Sequence, residues 1–83
     1  MDKGEIAEQI RTFLETEFPN PGVRLTDTTL LLEEWFVDSM AIVETVLFLE
    51  KRFGVRIGRR DINGVHFRTV ATLAELVSER RDG

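Results

Sequence analysis

The stretch from Trp35 to Phe53, WFVDSMAIVETVLFLEKRF, decides how the rest of the chain is read. Asp38 and Ser39 have short oxygen-bearing side chains that take up the backbone N–H groups left unpaired at a helix start, so a helix begins here. At about 3.6 residues per turn, Ile42, Val46, Leu49 and Phe53 fall at i, i+4, i+7 and i+11 and form a core stripe. Met40, Val43 and Leu47 form a second apolar stripe, bordered by Glu44, Glu50 and Lys51. A small protein buries only one of two such stripes easily. The second is either partly covered by a loop or neighbouring helix, or is a face on which a partner docks. Met40 fits docking best, being adaptable and next to Ser39 at the open end of the helix. Gly54 follows Phe53 and closes the helix in the left-handed conformation.

Upstream, Ile6, Ile10, Phe13 and Leu14 recur at helical spacing and predict a first helix from Gly4 to about Phe18. Phe18-Pro19-Asn20-Pro21-Gly22 ends it, because proline lacks the amide donor and the residue before it prefers an extended backbone. A long loop follows, and Val23, Leu25, Leu30, Leu31, Leu32, Trp35, Phe36 and Val37 make it too apolar for a free linker. It must be packed down, with a short helical turn around residues 28–34. Trp35 either plugs the core or forms a rim that meets a partner or shields a cargo.

Downstream, Val55-Arg56-Ile57 alternates like a strand but is too short and has no second strand to pair with, so it reads as a loop with Val55 and Ile57 turned inward. Arg60 to Asn63 reads as a short third helix ended at Gly64. Thr69 caps a last helix whose core stripe is Val70, Leu73, Leu76 and Val77, with a charged, frayed end from Ser78 to Gly83. His66 has no cysteine and no acid at matching spacing, so it reads as a surface or packing residue and not as a catalytic one.

The chain has 83 residues, which fits one domain over 1–83 near the lower limit for a self-sufficient core. Charged residues make up 31% and hydrophobic ones 42%, a globular composition, and without cysteine there is neither a disulfide framework nor a thiolate metal site. No run is long enough to span a membrane, and the start, MDKGEIAEQI, lacks the basic and apolar regions of a signal peptide, so a cytoplasmic location is expected. The net charge of -4 argues against nucleic-acid binding. Charge is segregated: Asp27, Glu33, Glu34 and Asp38 precede the central helix, whereas Lys51 and Arg52 at its end and Arg56, Arg59, Arg60 and Arg68 beyond it stand against Asp61 alone. The two ends of that helix should therefore differ in potential.

Asp38-Ser39-Met40, followed by an apolar helix through Val43-Glu44, Leu49-Glu50 and Phe53-Gly54 to Ile57, resembles the acyl carrier and peptidyl carrier protein family, whose motif is Asp-Ser-Leu. Phe67-Arg68-Thr69-Val70 resembles the family's aromatic-x-Thr-Val entry to its last helix, so the resemblance covers nearly the whole chain. It implies an all-α fold, a four-helix carrier bundle with three main helices, one short third helix and a long first loop. It also implies that Ser39 carries a 4'-phosphopantetheine group, taken from coenzyme A by a phosphopantetheinyl transferase, with Asp38 as the motif acid. Many family members have a glycine shortly before the Asp-Ser pair where this chain has Trp35-Phe36-Val37, a departure that bears on the loop's conformation.

The function so implied is that of a discrete, free-standing, monomeric carrier, not an enzyme, with no catalytic residue and no metal. Acyl or aminoacyl groups would ride as thioesters on the arm, and the docking face would be Met40, Val43, Glu44 and Leu47. Expected partners are the transferase and an acyltransferase, ketosynthase or adenylating ligase. Many fatty-acid carriers of the family have an acidic central helix, whereas here Ala41 is neutral and Glu44 and Glu50 are balanced by Lys51 and Arg52. That difference favours a carrier of secondary metabolism, such as polyketide synthesis, over a housekeeping fatty-acid carrier. An unmodified carrier-like interaction module is a further alternative. A small DNA-binding domain lacks a recognition helix, and a serine hydrolase lacks both the Gly-x-Ser-x-Gly turn and a paired histidine.

Overall fold

The computed structural model describes residues 1–82, and among them every regular element is helical. Helix α1 spans Lys3–Glu17, α2 Ser39–Phe53 and α3 Val70–Asp82. A single π turn, Leu31–Trp35, interrupts the first loop, and a single 3-10 turn, Arg59–Asp61, the second. The expected short third helix is therefore one turn, placed a residue earlier than Arg60. Its brevity has a local cause, because the Asp61 carboxylate accepts the Gly58 N–H at 3.0 Å and Ile62 already leaves helical geometry.

Each main helix starts on a side-chain oxygen. Asp2 accepts the Glu5 N–H at 2.9 Å, Asp38 the Ala41 N–H at 3.0 Å and Thr69 the Thr72 N–H at 3.1 Å. The stop signals act as the sequence implies: α1 ends just before Phe18-Pro19, and Gly54 adopts φ 66° while its N–H donates to Glu50 O, closing α2.

One apolar cluster joins the three helices and both loops. α1 contributes Ile6, Ala7, Ile10 and Leu14, and α3 contributes Val70, Leu73, Ala74, Leu76 and Val77. Leu25, Leu31 and Trp35 come down from the first loop, and Val55, Ile57 and Phe67 from the second. Trp35 is only 3% exposed, so it plugs the core and forms no rim. The first loop is held along its length by polar ties. Leu31 N–H donates to Arg68 O at 2.9 Å, Ala71 N–H to Asp27 O at 3.0 Å, and the Asn20 side-chain amide to Glu34 O at 3.1 Å.

On α2 the buried residues are Ala41, Thr45, Val46, Leu49 and Phe53. Compared with the expected stripe, Ile42 is only half-buried and the core face turns toward Ala41 and Thr45. Thr45 can take a core position because its hydroxyl donates to Ala41 O at 2.7 Å, which removes the cost of burying an unpaired polar group. Phe48, which no core stripe included, stacks on Phe13 of α1 with ring centroids 4.0 Å apart.

The C-terminal end departs from expectation. Helix α3 continues through Asp82 instead of fraying from Ser78, and Gly83 lies outside the described residues. Arg80 supplies the reason: its Nε donates to one Asp61 oxygen at 3.3 Å and its terminal NH2 donates to the other, tying the last turns of α3 to the 3-10 turn. Arg80 pairing, with the Gly58 N–H adding to it, holds the Asp61 carboxyl below its ordinary value of 3.8, against the opposing effect of burial.

A carboxyl whose folded-state pKa lies below its unfolded value contributes stability that is present above pH 3.8 and is lost as pH falls through the folded pKa. Denaturant midpoints measured from neutral pH downward are thus expected to decline on the acid side. Asp61→Asn should be less stable at neutral pH and show a shallower acid decline; parallel pH profiles for the two proteins would remove Asp61 from the account.

Candidate functional site

Ser39 is the first residue of α2, and its side chain is exposed. Asp38 sits ahead of it with extended backbone, φ -158° and ψ 176°, a conformation that brings the carboxylate over the helix start onto the Ala41 N–H. Capping by Asp38 therefore fixes the direction in which Ser39 enters the helix. It also leaves the serine hydroxyl free at the positive end of the helix dipole.

From this point an apolar stripe runs down the outside of α2. Met40 is 60% exposed, Val43 48% and Leu47 58%, with Glu44 exposed beside them. Fully burying such a side chain is worth about 1.5–3 kcal/mol, so three uncovered ones on a single helix face represent stabilisation that the isolated chain forgoes. Val37, just before the Asp-Ser pair, is 85% exposed. The first of the two readings of this stripe, cover by a loop or another helix, does not apply among the described residues.

Beside the same end of α2 lies a slot of about 200 Å³ lined by Leu32, Ile42, Ile62, Asn63, Gly64 and Phe67. Leu32 comes from the π turn, Ile42 from the first turn of α2, and the rest from the second loop. Leu32 and Ile62 are themselves exposed, and Val65 stands out further along that loop. Among the described residues, apart from Met1, the large exposed apolar residues are Leu32, Val37, Met40, Val43, Leu47, Ile62 and Val65; all lie on these three segments except Val37, which links the π turn to α2. A roomier groove of about 330 Å³ lies between α1 and α2 around Phe13, Phe48 and Arg52, but it contains none of the candidate site residues.

The charge pattern is less polar along α2 than the chain order suggests. Glu33, Glu34 and Asp38 are exposed at the Ser39 end as expected. Arg68, however, the last base of the downstream group, lines a depression with Leu30, Leu32, Glu33 and Gly64, so a base is folded back among the acids. His66, read from the sequence as a surface or packing residue, is half-buried and hydrogen-bonded within the second loop. Its N–H donates to Asn63 Oδ1 at 2.8 Å, and its Nδ1 lies 2.9 Å from Asp61 O.

A family model described as a phosphopantetheine attachment site matches residues 5–77, a span that includes Asp38, Ser39, all of α2 and parts of α1 and α3. The chain is also 33% identical over 76 residues to an acyl carrier protein of Saccharopolyspora erythraea, an alignment covering 92% of this chain and 78% of that protein. The chain belongs to the acyl and peptidyl carrier protein family. Carriers of this family are not enzymes. They bear a covalently attached 4'-phosphopantetheine and work with synthase and transferase enzymes.

The site fits such a group. What the carrier must present is an accessible hydroxyl, and Ser39 presents one at a helix N-terminus, where a phosphodiester is favoured by the dipole and by the first amide N–H groups. Once bound, the arm supplies a thiol that holds an acyl group as a thioester, chemistry for which a chain without cysteine has no group of its own. The Asp61–Arg80 pair and the slot escaped the sequence reading. Asp61 does follow Gly58 at the three-residue spacing of a capping side chain, a usable signal, but nothing local singles out Arg80.

Asp38→Ala removes the acceptor of the Ala41 N–H and should cost about 1 kcal/mol of stability. The check is chemical denaturation of both proteins; equal midpoints would show that the cap is not formed in solution.

Proposed function

We propose that this carrier holds acyl or aminoacyl intermediates on 4'-phosphopantetheine attached to Ser39 and delivers them to partner enzymes. The observation that carries the assignment is the exposed Ser39 hydroxyl at the capped start of α2, within the residues matched to the family. In this reading Ser39 Oγ becomes esterified to the phosphate of phosphopantetheine drawn from coenzyme A. Asp38 acts as the motif acid that fixes the presentation of Ser39 to the transferase. Met40, Val43, Glu44 and Leu47 form the face on which the transferase, and then an acyltransferase, ketosynthase or adenylating ligase, docks. The carrier works as a single domain over 1–83, as a monomer and in the cytoplasm. Among the described residues no helix is long and apolar enough to cross a membrane.

Incubation with coenzyme A and a promiscuous phosphopantetheinyl transferase should add the mass of one phosphopantetheine to the intact chain and none to Ser39→Ala. In the same assay Leu47→Glu should raise the KM for the carrier without unfolding it. No mass gain in a folded wild type would transfer the assignment to an unmodified interaction module.

For the pathway we favour polyketide or related secondary-metabolite synthesis over housekeeping fatty-acid synthesis. The charge of α2 supports this, since Glu44 and Glu50 are offset by Lys51 and Arg52 and the docking stripe itself is apolar. A loaded carrier offered to fatty-acid ketosynthases is expected to be elongated poorly, and efficient elongation would reverse the preference.

A further inference from the structure

One wall of the slot beside Ser39 is made of Ile62, Asn63 and Gly64, a segment outside any regular helix. Its shape is therefore set by side chains. Asn63 Oδ1 accepts the Val65 N–H at 2.9 Å and the His66 N–H at 2.8 Å, and the Asn63 amide donates to Arg60 O at 2.8 Å. The hub of the arrangement is Asp61. Its carboxylate takes the Gly58 N–H, its carbonyl oxygen faces His66 Nδ1 at 2.9 Å, and its side chain, 11% exposed, is gripped by Arg80 from α3. Arg80 is thus the side chain that ties this self-bonded loop to the last turns of a helix.

The loop so fixed carries Ile62, next to Leu32 and Ile42, and further along Val65 into solvent at 41% and 72% exposure. It continues the apolar surface of α2 around the Ser39 end. We infer that Asp61 and Arg80 are positioning residues: by fixing the Ile62–Val65 loop they set a second wall that enzymes acting at Ser39 must meet. This inference rests on the assignment of Ser39 as the attachment point. The mechanism is geometric. Without the pair the wall samples other positions, the enzyme meets the competent arrangement less often, and apparent affinity falls while the chemical step at Ser39 is untouched.

The test compares wild type, Arg80→Gln, Arg80→Lys and Asp61→Asn in two measurements. The first is transfer of phosphopantetheine from coenzyme A as a function of carrier concentration. The second is amide hydrogen exchange at Gly58, Val65 and His66, referenced to Ile10 and Leu14 in α1. Arg80→Gln and Asp61→Asn are expected to raise KM about threefold to tenfold with kcat within about twofold of wild type, and to speed exchange in the loop but not in α1. Arg80→Lys, which keeps the charge, should recover much of the KM. Unchanged loop exchange in Arg80→Gln would show that the pair does not hold the wall. Faster loop exchange with an unchanged KM would show that the wall is no enzyme contact. Either result overturns the positioning role while wild type still reacts; absence of the mass gain in wild type itself would overturn the Ser39 assignment instead.

Discussion

Ala41, Thr45, Val46, Leu49 and Phe53 face inward on α2, and the rest of the molecule is arranged around that one-sided burial. A chain of this size has only enough apolar surface to cover one face of its central helix. α1 and α3 pack together with the two loops to form the cover, and the opposite stripe of Met40, Val43 and Leu47 stays in solvent. The same rotation of α2 that buries Leu49 completely holds Ser39 outward at the helix mouth, so core packing and presentation of the hydroxyl are one geometric fact.

The long first loop is affordable for a related reason. Its backbone gives up regular hydrogen bonding, yet Leu25, Leu31 and Trp35 reach the core, and donor–acceptor pairs to Arg68, Asp27 and Glu34 anchor it at several points. Trp35 carries a residual penalty, since its buried indole N–H has no hydrogen-bond partner among the described residues. The volume of the ring outweighs that loss: a filled core near the lower size limit for a domain gains more from contact area than one hydrogen bond returns.

The apolar surface around Ser39 is built in two different ways. The stripe along α2 is built on a rigid helix. The neighbouring wall is a short loop held by Asp61, Asn63, His66 and Arg80, whose bonds are individually modest and collectively directional. Apolar side chains dominate both surfaces, with Glu33, Glu44 and Arg68 around them.

Local chemistry written in the sequence determined the helix starts at Asp38 and Thr69, the stop at Gly54, the break at Phe18-Pro19, the α3 core stripe and the serine at the mouth of α2. Each of these depends on residues within a turn of one another, where spacing and side-chain type are sufficient. Only the tertiary structure decided that Thr45 is buried and Ile42 is not, that Trp35 fills the core, that Arg68 folds back beside Glu33, and that Arg80 holds Asp61 across 19 residues. Those outcomes depend on which segments meet and on how far each helix turns about its axis to fill the shared volume, and periodicity along a single helix does not carry that information.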